Sequence, residues 1–217
     1  MSASNNARQR MLDRVRNALG RQPGFDSSAA PERGVELAGP VPRPLWTESP
    51  EARFTARLEK AAATWSEVSG PEGIPAAVAA LVEADSLRLN VAADPLLEGL
   101  SWPPAWEVRS GVQDASSADA ALSVAAAGLA ETGSLVLASG PRSPTSLNFL
   151  PDLHLVVLRR QDMVDYMEEA WTRLLSSGGQ PPRAVNIITG PSRTADVEQT
   201  IQLGAHGPRR LHVLLLG

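Results

Sequence analysis

The chain contains no cysteine. That absence removes disulfides, a thiol nucleophile and thiolate metal ligation, and with them the usual means of holding an iron–sulfur cluster. Histidine is scarce too. His154, His206 and His212 are the three present, none in a paired spacing such as His-Glu-x-x-His, so no protein-held metal site is expected. No apolar run approaches the roughly 18 residues of a membrane span. The first twenty residues carry four arginines and no apolar segment of the secretory type, which predicts a cytoplasmic protein. The phosphate-binding patterns G-x-G-x-x-G and G-x-x-x-x-G-K-[ST] are missing, as is the nucleophile elbow G-x-S-x-G. Lysine occurs once against 19 arginines, a bias that reads as genomic base composition rather than function.

What is present suits a soluble α/β domain. At 217 residues and 43% hydrophobic content, the chain can bury one substantial core or two small ones. The net charge of −4 is uneven: residues 1–50 carry +2, residues 51–182 carry −8 and residues 183–217 carry +2. The acidic middle argues against a nucleic-acid surface, whereas the basic C-terminal part is compatible with a small anionic ligand.

Hydrophobic periodicity sets out the organisation. Residues 7–19 predict a short amphipathic helix with Leu12, Val15 and Leu19 near one face. Residues 21–50 hold six prolines, which cannot sustain regular hydrogen bonding and predict a linker. Residues 1–50 therefore form an N-terminal helical arm with a proline-rich linker, and residues 51–217 the compact domain. Within it, helices are expected over 51–68, 72–84 and 162–176. Strands are expected at 87–91, 105–109, 134–138, 154–158, 187–188 and 211–216, and 120–127 is ambiguous. Alternating helices and apolar strands predict a three-layer α/β/α domain with a parallel or mixed sheet.

Three motifs carry chemistry. In Gly190-Pro191-Ser192-Arg193-Thr194-Ala195-Asp196-Val197-Glu198, a glycine and a proline turn the chain after a strand. Ser192 or Thr194 is expected to cap a following helix, whose N–H groups, with Arg193, would suit a carboxylate or phosphate at the strand's carboxyl end. Asp196 and Glu198 would orient Arg193 or handle a proton. The competing reading is a capped helix with dipole-matched acids. In Ala130-Glu131-Thr132-Gly133-Ser134, Glu131 stands before a buried strand as a base or nucleophile, or simply in a turn. In Gly204-Ala205-His206-Gly207-Pro208, His206 sits on a turn as a ligand-binding group, or as a structural hydrogen-bonder. His154 heads a buried strand and reads as structural. Trp65 and Trp171 fit helix faces, whereas Trp102 and Trp106 flank a proline pair and could line a pocket mouth.

These motifs, with Leu150-Pro151-Asp152-Leu153-His154 between them and Val15-Arg16-Asn17-Ala18-Leu19-Gly20 near the start, resemble the LUD domain of the lactate-utilization protein C (LutC/YkgG) family. The resemblance covers nearly the whole chain. It implies a fold similar to the NagB/RpiA/CoA-transferase group. It further implies a non-redox subunit in the oxidation of L-lactate to pyruvate, beside iron–sulfur partner proteins that would carry the clusters this chain cannot. The expected pocket gathers Glu131 as the catalytic candidate with Thr132, Gly133, Gly190, Ser192, Arg193, Thr194, Asp196 and His206 around a small carboxylate or phosphate-bearing ligand. A CoA-transferase-like or ligase-like enzyme using Glu131 as nucleophile, and a structural or regulatory adaptor, are the alternatives.

Overall fold

The computed structural model describes residues 3–18, 43–82, 84–110, 116–141, 143–176, 182–195, 201–203 and 206–217. The chain divides into two units, Met1–Leu45 and Trp46–Gly217. In the first unit, helix α1 (Ala3–Ala18) leaves Met11, Leu12 and Val15 exposed. Residues 19–42, most of the expected linker, lie outside the described residues.

The second unit opens with α2 (Pro50–Lys60). Ser49 caps it, its hydroxyl accepting from the Ala52 N–H at 3.2 Å, and Pro50 supplies a preset φ at the first helical position. Phe54 and Leu58, four apart on one face, are fully buried. The expected helix over 51–68 is cut short. The Ala63 N–H bonds the Leu58 carbonyl, the Ala62 N–H bonds the Glu59 carbonyl, and Ala62 takes φ 61°. This is a Schellman stop with alanine where glycine is usual, which hid it from the sequence. Trp65, expected on that helix, lies instead on strand β1 (Thr64–Val68), its indole N–H donating to Glu59 at 2.9 Å.

A short 3₁₀ turn and α3 (Ile74–Val82) lead to β2 (Arg88–Val91). Then come β3 (Glu107–Ser110), β4 (Ala120–Val124), β5 (Ala127–Leu129) and β6 (Ser134–Ala138), followed by α4 (Ser146–Phe149) and β7 (Leu153–Arg159). The ambiguous stretch 120–127 is thus strand. The helix expected from 162 begins later: β8 (Met163–Val164) precedes α5 (Met167–Ser176), and Asp162 is held in a 3₁₀ turn by Arg159 at 2.6 Å and Arg173 at 2.5 Å. β9 (Val185–Ile188), β10 (Arg193–Ala195), β11 (Ile201–Leu203) and β12 (Arg210–Leu216) complete the chain.

The strands form two principal sheets. Six lie in the order β1-β12-β7-β4-β2-β3, every pair parallel. Four more lie as β8-β5-β6-β9, with β6 antiparallel to both neighbours. Ile187-Ile188 therefore closes this second sheet and not the main one, a correction to the single-sheet expectation. Parallel strands covered on both faces read as continuous apolar runs, and β7 and β12 are buried almost end to end.

Three cores record the layering. On one face of the main sheet Leu89, Leu122, Leu155 and Leu214 meet Ile74 and Val78 of α3 and Leu147 of α4. On the other face Val156, Leu158, Val213 and Leu215 meet Phe54 and Leu58 of α2 and Leu135 and Leu137 of β6. Behind the second sheet, Ala127, Leu129 and Val136 meet Ala170 of α5. The fold is a mixed α/β architecture around a central parallel sheet flanked by helices. Trp106 is core and Trp102 packs beside it, their rings stacked at 6.3 Å; neither lines the cleft described below. Trp171 is 41% exposed on α5, so it is not core.

Candidate functional site

A cleft of about 500 Å³ opens where four connections converge: the end of α2, the end of α4, the β9–β10 turn and the turn before β12. Its lining includes Asn148, His154, Thr189, Ser192, Arg193 and His206, with Phe149, Ile188 and Leu211 among its apolar walls. It lies beside the carboxyl end of β9 but at the amino ends of β7 and β12, since His154 and Leu211 are each the second residue of their strands. The cleft thus lies at the carboxyl end of the strand that leads into Gly190, and that strand belongs to the second sheet.

The run after Gly190 is not a helix start. Arg193–Ala195 is strand β10, antiparallel to β11 with Thr194 opposite Gln202. The Ser192 N–H, expected at a helix cap, donates to the Pro208 carbonyl at 2.9 Å and ties this turn to the His206-Gly207-Pro208 turn. A Cβ on Gly207 would come within 3.2 Å of the Ser192 Cβ, so the two turns touch. Two motifs some fifteen residues apart in sequence thus form one wall. Asp196 and Glu198 lie outside the described residues, as do Gly204 and Ala205.

Two glycines seat this wall and the Glu131 turn against α2. Gly190 has φ +74°, and a Cβ there would run into the Ala61 carbonyl oxygen. Gly133 has φ +69°, and a Cβ there would lie 2.6 Å from the Leu58 nitrogen. Both demands, left-handed backbone and close approach, are ones that only glycine meets. Arg193 reaches the same helix end, donating to the Ala61 carbonyl at 3.2 Å, where a cation complements the helix dipole.

Glu131, Thr132 and Gly133 form the turn between β5 and β6 and do not line the cleft. Glu131 is half-buried, with its N–H on the Asp165 carbonyl at 3.2 Å. The turn reaches the cleft only through hydroxyls: Thr132 to Ser134 at 2.7 Å, and Ser134 to Thr189 at 2.6 Å. Among the described residues no group of three or more His, Asp or Glu side chains could hold a metal ion.

Sequence reasoning passed over Asn148, Thr189 and, as a site residue, His154. His154 is wholly buried, and burial pushes its imidazole down to about 3. Its Nε2 lies 3.1 Å from the Ser123 hydroxyl, which itself donates to Asn148 Oδ1 at 3.4 Å. The signal for His154 was its place in Leu150-Pro151-Asp152-Leu153-His154. Asn148 gave none, because a polar residue on a one-turn helix looks like a loop.

A model of the LUD domain family matches residues 52–216. An uncharacterized protein of Neisseria meningitidis serogroup B is 38% identical over 100 residues, 45% of this chain and 42% of that protein. Lactate utilization protein C of Halalkalibacterium halodurans is 33% identical over 111 residues, 48% of each chain. The chain spans about half the length of the curated relatives it matches. The crystal structure of a DUF162 family protein from Deinococcus radiodurans superposes with a TM-score of 0.62 at 25% identity, covering 80% of this chain and 100% of that one. With the family match spanning nearly all of the second unit, this chain belongs to the LUD domain family.

Proposed function

We propose that this protein is a non-redox subunit of a system that oxidises L-lactate to pyruvate, and that its cleft binds a small carboxylate or phosphate-bearing ligand. The observation that carries the reading is the convergence of Ser192, Arg193 and His206, from separate motifs, on one apolar-walled cleft. A guanidinium has five N–H donors in a planar fork, and its bond to the Ala61 carbonyl uses one of them, so it can also address an oxyanion. Relatives that bear the name lactate utilization protein C support the pathway. With no cysteine, this chain has no thiolate to ligate a cluster, so electron transfer falls to iron–sulfur partners. No helix of the described residues is long and apolar enough to cross a membrane. The reading gives Glu131 no contact with the ligand, which weighs against the transferase alternative.

The test is Arg193→Ala in the full chain. We expect its affinity for L-lactate, measured by calorimetry, to drop at least about tenfold, as for a lost charge-assisted hydrogen bond, with the thermal transition retained. Growth on lactate of a strain carrying only this variant should fail. Wild-type affinity together with normal growth would remove Arg193 from the site.

A further inference from the structure

The cleft is larger than a three-carbon acid requires. At the roughly 30 Å³ per heavy atom of liquid water, the six heavy atoms of L-lactate take up no more than about 180 Å³. The cleft holds about 500 Å³, a size typical of sites for considerably larger ligands. More than half of it would stay open beside such an acid.

Two of its walls are exposed apolar side chains from separate elements. Phe149 ends α4 and is 43% exposed, while Leu147 and Asn148 before it are buried. Ile187 is 39% exposed on β9, the edge strand of the second sheet. Ile188, next to it, packs into the core from the other face of that strand. Phe149 and Ile187 line the cleft together with Arg193, and no carboxylate side chain stands among the described lining residues. One exposed apolar residue is ordinary on a protein surface. Two that converge on one concavity beside a guanidinium suit a ligand with both an anionic and an apolar part.

We propose that the ligand of this cleft is an organic anion with an apolar group of about ring size, its charged end on Arg193 and its apolar group against Phe149 and Ile187. The proposal rests on the anion-binding reading above and deepens it by naming the class of ligand. L-lactate offers the charged end alone. An apolar group seated on Phe149 and Ile187 takes its own surface and theirs out of water, which is the source of the added affinity. Arg193 supplies the charge complement that sets an anion apart from a neutral molecule with the same apolar group.

Calorimetric titration of the full chain with two acids that differ by one phenyl group tests this. L-3-phenyllactate should bind at least about tenfold more tightly than L-lactate, a factor that burial of one aromatic ring supplies. Phe149→Ser combined with Ile187→Thr, changes at exposed positions, should bring the two acids to within about twofold of each other. 3-Phenyl-1-propanol, which keeps the ring and lacks the charge, should bind the wild type at least about tenfold more weakly than L-3-phenyllactate. Equal binding of the two acids to the wild type, or a phenyl advantage that survives in the folded double variant, overturns the proposal and leaves the anion reading standing. Equal binding of the alcohol and L-3-phenyllactate overturns the anion reading, and with it the charged half of the proposal, while the apolar contact stands. Failure of both acids to bind the wild type overturns the anion reading and this proposal together.

Discussion

Ala62 adopts φ 61°, a conformation in which the Cβ of an L-residue crowds the following carbonyl. It stands at the turn that ends α2, where the Ala63 and Ala62 N–H groups close back onto Leu58 and Glu59. Glycine would adopt the same backbone without that crowding. Ala62→Gly should therefore raise stability by about 0.5–1 kcal/mol, read as a higher urea midpoint at unchanged slope; a lower midpoint would contradict the strain assigned to this residue. Legibility at this scale follows from chemistry that is local. Ser192, Arg193 and His206 could be singled out because turn residues beside charged or titratable groups are visible in one dimension. His154 could be read as buried, but its hydrogen-bond partner Ser123 is supplied by another strand.

At the scale of elements, the end of α2 is the post on which the site is hung. Gly133 packs on Leu58, Gly190 packs on Ala61, and Arg193 binds the Ala61 carbonyl. Gly190→Ala adds both a left-handed alanine and a clash with backbone that has no flexible side chain to yield. We expect it to destabilise the protein by more than about 2 kcal/mol and to weaken anion binding as the Ser192–Arg193 segment shifts. A loss under about 0.5 kcal/mol in urea unfolding would show that the turn does not dock as described. Most strands of the main sheet were legible because two-sided burial writes itself as an apolar run, as in β7 and β12. β10 was not. Three residues with a threonine and an arginine look like a helix entry, and only their pairing with β11 makes them strand. The early stop of α2 was hidden for a similar reason, since Ala61-Ala62-Ala63 continues a helical pattern while tertiary contacts draw Ala63 and Val68 inward.

For the whole molecule, the main sheet carries two buried imidazoles. Burial holds His154 at about 3, and burial together with the nearby Arg210 charge holds His212 at about 4. His212 joins β12 to β1 through the Thr64 hydroxyl at 2.7 Å and the Ser66 hydroxyl at 3.0 Å. In the unfolded chain both rings take up a proton near pH 6.5. Between that pH and about 4 the unfolded state therefore binds more protons than the folded one, and stability falls as the pH falls. The expected slope approaches about 1.4 kcal/mol per pH unit for each ring near pH 5.5. His212→Gln should lessen the slope measured by urea unfolding between pH 6 and pH 5; an unchanged slope would mean that His212 is not held neutral. Above about pH 7.5 these rings add little pH dependence.

The amino-acid sequence by itself determined that this chain has no disulfide or thiolate ligand, its α/β class, the strands buried on both faces, and the turns where charged groups gather. Each of these depends on residue type and short-range periodicity, which one dimension carries. Only the tertiary structure decided that β9 belongs to a second sheet, that the Gly190 run enters a hairpin, and that Glu131 stands apart from the cleft. It alone placed His154 with Asn148 on the cleft wall. Those outcomes depend on which segments meet across the fold, and a strand's partner or a buried atom's neighbour is settled by long-range packing that local pattern does not encode.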